Sequence, residues 1–421
     1  VTPGQLEPEG PAARPGEPDR GPGDPELVER LRAEIERDGP IPFARFMAVA
    51  LYDRERGYYA SPTARPTRAG DFLTAPELHP VFGRLVGRQL AEVWERLGRP
   101  DPFVVREHGA GAGTLGLAIL DGLRVDRSGL ADALRYQPVE VNPHRRAELH
   151  ERFSAAGLAD RLDEPTGPMV GAVVANELLD ALPVHRVTVR AGRLRELLVT
   201  TTAGGFAEVD APPTTPALAG RLADDGVALV EGQVAEICLE LGPWVEAVAA
   251  DLERGLALVI DYGHPAETLF GPRRRAGTLL AYARHRVHDD PFVEVGRQDL
   301  TAHVDLTALE RAATRAGLDV LGRTSQAAFL AGLGLGDLLA AAGETPLDGP
   351  GAGVDGAAAH GAAAHGAGAL DAYLALRSAV VRLIDPRAMG AFRVIALGRG
   401  LATAPPLRGF AFELPGRPAD R

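Results

Sequence analysis

The 421-residue chain contains no lysine, so its 45 basic side chains are all arginine. That absence excludes Schiff-base chemistry, the lysine of a Walker-A phosphate loop and the phosphate-pairing lysine of protein kinases. With 50 glycines and 34 prolines, it reads as the coding bias of a GC-rich genome rather than as arginine-specific chemistry. A single cysteine, Cys238, excludes an intrachain disulfide framework and a multi-cysteine zinc or iron–sulfur site. Neither a helix start nor an arginine cluster activates that thiol, and it reads as structural. Basic charge is in deficit, 57 acidic side chains giving a net charge of −12, which argues against a nucleic-acid partner. No run of about 18 apolar residues exists, so no membrane span is expected. The opening VTPGQLEPEG lacks the basic and apolar regions of a secretory signal, and a soluble cytoplasmic protein is the expectation.

What is present is globular. Hydrophobic residues make up 45% and charged residues 24%, and the length suits two domains or one large domain with insertions. Residues 1–25 are rich in proline, glycine and charge, and they read as a disordered tail. Apolar residues at Leu27, Leu31 and Ile35 predict a helix that stops at Gly39, and Pro42 opens a second. Together with a helix over 79–97, these make 26–100 an N-terminal helical and lid region. Strand and helix then alternate. Residues 103–107, 135–141, 167–177, 256–261 and 391–398 read as apolar strands, with helical patterns between them, which predicts a doubly wound α/β fold with a parallel sheet covered on both faces. In this reading 101–183 is the cofactor-binding half, 236–400 the second half and 401–421 a tail. Residues 184–235 interrupt the rhythm with period-two alternation and turn signals, and read as an inserted small β-subdomain. Residues 343–369 repeat AAAHG; they read as a flexible surface loop and not as a metal tract, and no metal site is expected.

Four strand ends carry the chemistry. After the 103–107 strand come Glu107, Gly109, Gly111 and Gly113, then a helix. Glycines there permit a tight turn and close approach of a ligand to the backbone, and the helix start offers free N–H groups. A ligand-free βα turn would use the same glycines. The dinucleotide fingerprint requires a further glycine where Thr114 stands, so a nicotinamide enzyme is disfavoured. The spacing acid-x-Gly-x-Gly-x-Gly is instead that of class I S-adenosylmethionine methyltransferases. Glu140 ends the next strand, where a carboxylate can accept both hydroxyls of a ribose. The 167–177 strand delivers Asn176, Glu177 and Asp180 to its C-terminal edge. Asn176 suits the cofactor's amino-acid end or a substrate amide, and Glu177 and Asp180 suit a guanidinium. The fourth strand end carries Asp261-Tyr262-Gly263-His264, with His285 and His303 downstream.

An ordered series of segments resembles the MidA family of class I methyltransferases: 57–59 (GYY), 70–77 (GDFLTAPE), 107–115 (EHGAGAGTL), 176–185 (NELLDALPVH), 261–264 (DYGH), 277–285 (GTL…Y…H), 299–305 (DLTAHVD) and 386–392 (PRAMGAF). The resemblance covers about residues 27–400. It implies S-adenosyl-L-methionine as cofactor, held by Asp71, Thr74 and Pro76 of a lid and by Glu107, Gly109, Gly111, Gly113, Glu140 and Asn176. It implies methyl transfer to a protein arginine, with Asn176, Glu177, Asp180 and His285 as catalytic candidates and Glu236 as a further acidic position. In the family's mitochondrial member the target is a subunit of respiratory NADH dehydrogenase (complex I). Ala110, Ala118 and Leu149 depart from the family pattern. A small-molecule methyltransferase and an inactive assembly protein on the same fold are the competing readings.

Overall fold

The computed structural model describes residues 21–60, 74–283, 286–344 and 358–412, with backbone alone at 344 and 358–369. Asp71, His285 and residues 345–357 lie outside them. The chain forms two compact units, each assembled from separated stretches. The described residues of 65–182, 240–269 and 303–421 make the larger unit; those of 1–64, 183–239 and 270–302 make the other. The 26–100 region expected as one piece is therefore divided, and 270–302, expected in the α/β half, belongs with the β-rich insertion.

The larger unit is built on a six-stranded sheet in the order Asp319–Ser325, Arg393–Arg399, Leu252–Asp261, Met169–Asn176, Phe103–His108, Leu134–Val139. The last four run parallel. Arg393–Arg399 is antiparallel to both of its neighbours, which corrects the expectation of an all-parallel sheet. A strand buried on both faces reads as the same apolar run in either direction, so sequence does not reveal its polarity. On Leu252–Asp261, Leu256, Leu258 and Ile260 join the main core while Ala257 and Val259, pointing to the opposite face, are equally buried. Helix Thr114–Val125 lies against helix Val81–Arg96 so closely that a Cβ on Gly83 would stand 2.4 Å from the Ala118 Cβ. The departure at Ala118 is thus a packing requirement, because a larger side chain there would drive the helices apart. The Ala/Gly/His tract is not all loop either: helix Ala358–Ile384 takes in its second half, as its alanine content favours.

In the other unit, strands Ile41–Pro42, Arg193–Thr202, His185–Arg190 and Val234–Ile237 pair antiparallel, with Gly205–Ala211 added to Arg193–Thr202. The inserted β-subdomain thus extends past 235. Helices Pro25–Asp38 and Phe43–Tyr52 supply Leu27, Leu31, Phe43 and Phe46 to the same core as Val199 and Phe206. Of the tail expected over 1–25, residues 21–25 are ordered instead: Glu294 and Val295 donate to the Gly21 and Pro22 carbonyls, and Asp24 caps the first helix, while residues 1–20 lie outside the described residues.

Candidate active site

Parallel direction brings the C-terminal ends of Phe103–His108, Leu134–Val139, Met169–Asn176 and Leu252–Asp261 to one edge of the sheet, where doubly wound folds bind their ligands. The glycine loop starts there. Gly109, Gly111 and Gly113 have φ of 74°, 54° and 75°, the left-handed region that favours glycine. Gly109 and Ala110 donate to the Val139 carbonyl, and the loop closes on itself through Gly113 N–H to the Ala110 carbonyl at 2.9 Å. A Cβ on Gly113 would meet Leu149 at 2.8 Å and Phe153 at 2.9 Å, whereas one on Gly111 would meet nothing within 4 Å among the described residues. The departure at Leu149 is therefore part of the floor on which the loop rests.

Two acids bracket the loop. Glu140 accepts from Gly111 N–H and from Asn142 N–H, both at 2.7 Å. It is half-buried, and each oxygen keeps a second lone pair for a ligand hydroxyl. Glu107 is buried, and its Oε2 accepts from the Tyr136 hydroxyl at 2.6 Å. Burial pushes its carboxyl up to about 8; the tyrosine hydrogen bond opposes the rise and nearby Glu140 adds to it. Tyr136 is itself clamped, stacked on Phe153 with ring centroids 5.1 Å apart and pressed against Gly116. On the following residue, His108 Nδ1 accepts from the Trp244 indole at 3.2 Å, and burial lowers the pKa of the imidazole.

The 176–180 segment is the third part. Asn176 donates through Nδ2 to Glu177 Oε1 at 3.1 Å, and its buried Oδ1 has no hydrogen-bond partner among the described residues. Glu177 Oε1 also accepts from Ala75 N–H at 3.0 Å, and Glu177 has φ of 50°, uncommon for a residue with a side chain. Asp180 is buried on the short 3-10 turn Leu179–Ala181. Of the expected lid residues, Thr74 and Pro76 begin helix Ala75–Leu78. The contact to the glycine loop comes from a neighbour that the sequence reading passed over: Glu77 accepts from the Thr114 hydroxyl at 2.6 Å, and Arg152 donates to that same hydroxyl at 2.8 Å. Glu77 lies inside the 70–77 segment, so the motif pointed to it without singling it out. His303 stacks with Tyr262 and His264 at 6.0 and 5.3 Å between ring centroids. Glu236 lies in the other unit, where it accepts from Thr278 N–H at 2.6 Å and from Arg186 Nε at 3.3 Å.

Three features fit a nucleoside-bearing amino acid. Gly111 presents backbone with no Cβ, Glu140 offers a carboxylate for a ribose diol, and the orphaned Asn176 Oδ1 is an acceptor suited to an ammonium. Residues 85–324 match the model of a family of S-adenosyl-L-methionine-dependent methyltransferases. The protein is accordingly a class I methyltransferase that uses S-adenosyl-L-methionine. It is similar to a solved COG1565 superfamily protein from Burkholderia thailandensis bound to S-adenosyl-homocysteine, with 36% identity and a TM-score of 0.76 over 92% of this chain and 94% of that one. It is also similar to the Drosophila melanogaster protein named protein arginine methyltransferase NDUFAF7 homolog, mitochondrial (32% identical, 72% of this chain, 74% of that protein) and to the human protein arginine methyltransferase NDUFAF7, mitochondrial (28%, 76% and 75%). The chain belongs to the MidA family.

Proposed function

We propose that this methyltransferase acts on an arginine side chain of a protein, and that its target is a subunit of a respiratory NADH dehydrogenase. The names of the curated relatives support the arginine reading, and the MidA resemblance supports the target. The observation that carries it is the pair of carboxylates, Glu177 and Asp180, placed on the short segment directly beyond Asn176 at the sheet edge. A cationic, planar substrate needs anionic acceptors in a fixed array, and carboxylates supply charge-assisted, bidentate bonds. S-adenosyl-L-methionine supplies an electrophilic methyl group on a sulfonium centre.

The residues of this chain do the rest. Gly111 and Glu140 would seat the ribose, and Asn176 Oδ1 would receive the ammonium of the amino-acid end. Glu177, half-buried and steadied by Ala75 N–H and Asn176 Nδ2, grips the guanidinium and localises its charge on the nitrogens facing away from the methyl. The remaining nitrogen gains nucleophilic character, and positioning of this kind supplies up to roughly 7–11 kcal/mol of barrier reduction. Transfer forms the N–C bond, breaks the sulfur–methyl bond and releases S-adenosyl-L-homocysteine; the proton lost from the nitrogen would pass to Glu177 or Asp180.

The test is radiolabelled methyl transfer to arginine-containing proteins, read by mass spectrometry, with calorimetric cofactor binding alongside. Wild type is expected to place label on arginine. Glu177→Gln is expected to bind cofactor within about threefold of wild type and to lose transfer by roughly a hundredfold or more. Label appearing only on small molecules would overturn the substrate assignment.

A further inference from the structure

The motif at 261–264 has no part in the chemistry above, yet its first residue carries four backbone hydrogen bonds. Asp261 is 1% exposed and ends strand Leu252–Asp261. Its Oδ2 accepts from three successive N–H groups, Leu178 at 3.1 Å, Leu179 at 2.8 Å and Asp180 at 3.3 Å. Its Oδ1 accepts from Tyr262 N–H at 2.7 Å. Successive N–H groups turned to a common point form a concavity that ordinarily captures an anion from outside. Here that place is taken by a buried side-chain carboxyl from the neighbouring strand. The same strand supplies the Ile260 carbonyl to Glu177 N–H at 2.8 Å. The N–H groups of residues 177–180 therefore all bond to the end of a single strand.

Glu177 sits at φ 50°, a left-handed conformation that is unfavourable for a residue with a side chain. Such a residue persists only where its surroundings over-determine it, and the Asp261 cradle, immediately C-terminal, is what does so.

We propose that Asp261 is the positioning residue of the methyl-transfer site, holding Glu177 and Asp180 in their working directions by gathering the N–H groups of 178–180, without touching substrate. Which substrate those acids meet rests on the reading above; the holding of the segment does not.

The experiment compares wild type, Asp261→Asn and Asp261→Gly in amide hydrogen exchange, cofactor calorimetry and steady-state methyl transfer. In wild type, the Leu178, Leu179 and Asp180 amides are expected to be well protected, whereas the Gly111 amide, on the rim, exchanges faster. Exchange of the three at ordinary loop rates overturns the proposal even if neither variant folds. Asp261→Asn keeps one acceptor and is expected to lose protection selectively at 178–180, to bind cofactor within about threefold of wild type, and to lower kcat by about tenfold to a hundredfold. Added formate, filling the emptied concavity, is expected to restore protection and part of kcat in Asp261→Gly. Protection lost with kcat unchanged, or cofactor affinity falling in step with kcat, overturns it. Absence of arginine methylation in every protein, wild type included, with exchange behaving as stated, would count against the substrate assignment and leave Asp261 in its role.

Discussion

Gly111 and Gly113 stand two residues apart, both with positive φ, and alanine at each should fail in a different way. At Gly113 two penalties combine. The left-handed conformation costs alanine roughly 1–2 kcal/mol, and the new methyl would stand 2.8 Å from Leu149 and 2.9 Å from Phe153. Both are fully buried on helix Pro143–Ala155, and overpacking of this sort costs typically about 1–3 kcal/mol. Gly113→Ala is thus expected to destabilise the fold by about 2–5 kcal/mol. At Gly111 only the conformational penalty applies, because the methyl meets no atom of the described residues within 4 Å. That methyl would instead project from the very residue whose N–H is bound to Glu140, on the side where the ribose is to be seated. Gly111→Ala should therefore lose about 1–2 kcal/mol of stability and at least tenfold in cofactor affinity. Urea unfolding and calorimetric titration of both variants measure the contrast. Equal stability of the two variants would refute the packing half of the reasoning. Unchanged affinity in Gly111→Ala would refute the placement of the cofactor.

Glu140→Gln loses one acceptor of the pair that binds Gly111 and Asn142, and charge-assisted bonds are worth about 1.5–3 kcal/mol; cofactor affinity should fall about tenfold to a hundredfold in calorimetry. Glu107, raised from 4.5 to about 8, binds its proton more tightly folded than unfolded. Its stabilising contribution is therefore complete below about pH 4.5 and is lost as pH rises through about 8. The displacement corresponds to at most about 5 kcal/mol, so melting temperature should decline from pH 5 to pH 9 in wild type and decline less in Glu107→Gln.

Much of the larger unit was legible because its strands are buried on both faces and its helices on one, so apolar runs and helical spacing report directly on burial. The glycine loop was legible for the same reason that it works, since positive φ at 109, 111 and 113 demands that residue type. Partnerships distant in sequence were not. Nothing local to Leu27 or Leu300 says that they share a core, so the two units, each stitched from separate stretches, were missed. Glu77 was visible as a letter of the 70–77 segment, but its bond to Thr114 spans 37 positions. Asp261 was noticed at its strand end, yet its partners are backbone N–H groups, which leave no trace in side-chain identity. Of the expected site residues, Glu107, Gly109, Gly111, Gly113, Glu140, Asn176, Glu177 and Asp180 do gather at one sheet edge.

The reversed direction of Arg393–Arg399 has a consequence at that edge. A parallel strand would bring its C-terminal end there, and residues 386–392 would lie at the opposite side of the sheet. Running antiparallel, the strand pairs Arg393 with Asp261 and delivers Phe392 beside the motif that follows Asp261. The Phe392 ring, 1% exposed, lies 3.9 Å from the Tyr262 ring between centroids, and Tyr262 donates the N–H that Asp261 Oδ1 accepts. The two family segments at 261–264 and 386–392 are therefore one structural feature, an aromatic buttress behind the carboxylate that holds Glu177 and Asp180. Phe392→Ala should cost about 3–5 kcal/mol from the lost burial and its cavity. Phe392→Leu, which retains an apolar filling, should cost less and still slacken Tyr262. The measurable outcome in Phe392→Leu is faster amide exchange at 178–180 and a lower kcat, at a cofactor affinity within about threefold of wild type. Exchange at 178–180 unchanged in a variant that is measurably less stable would separate the two segments again, leaving Phe392 as ordinary core.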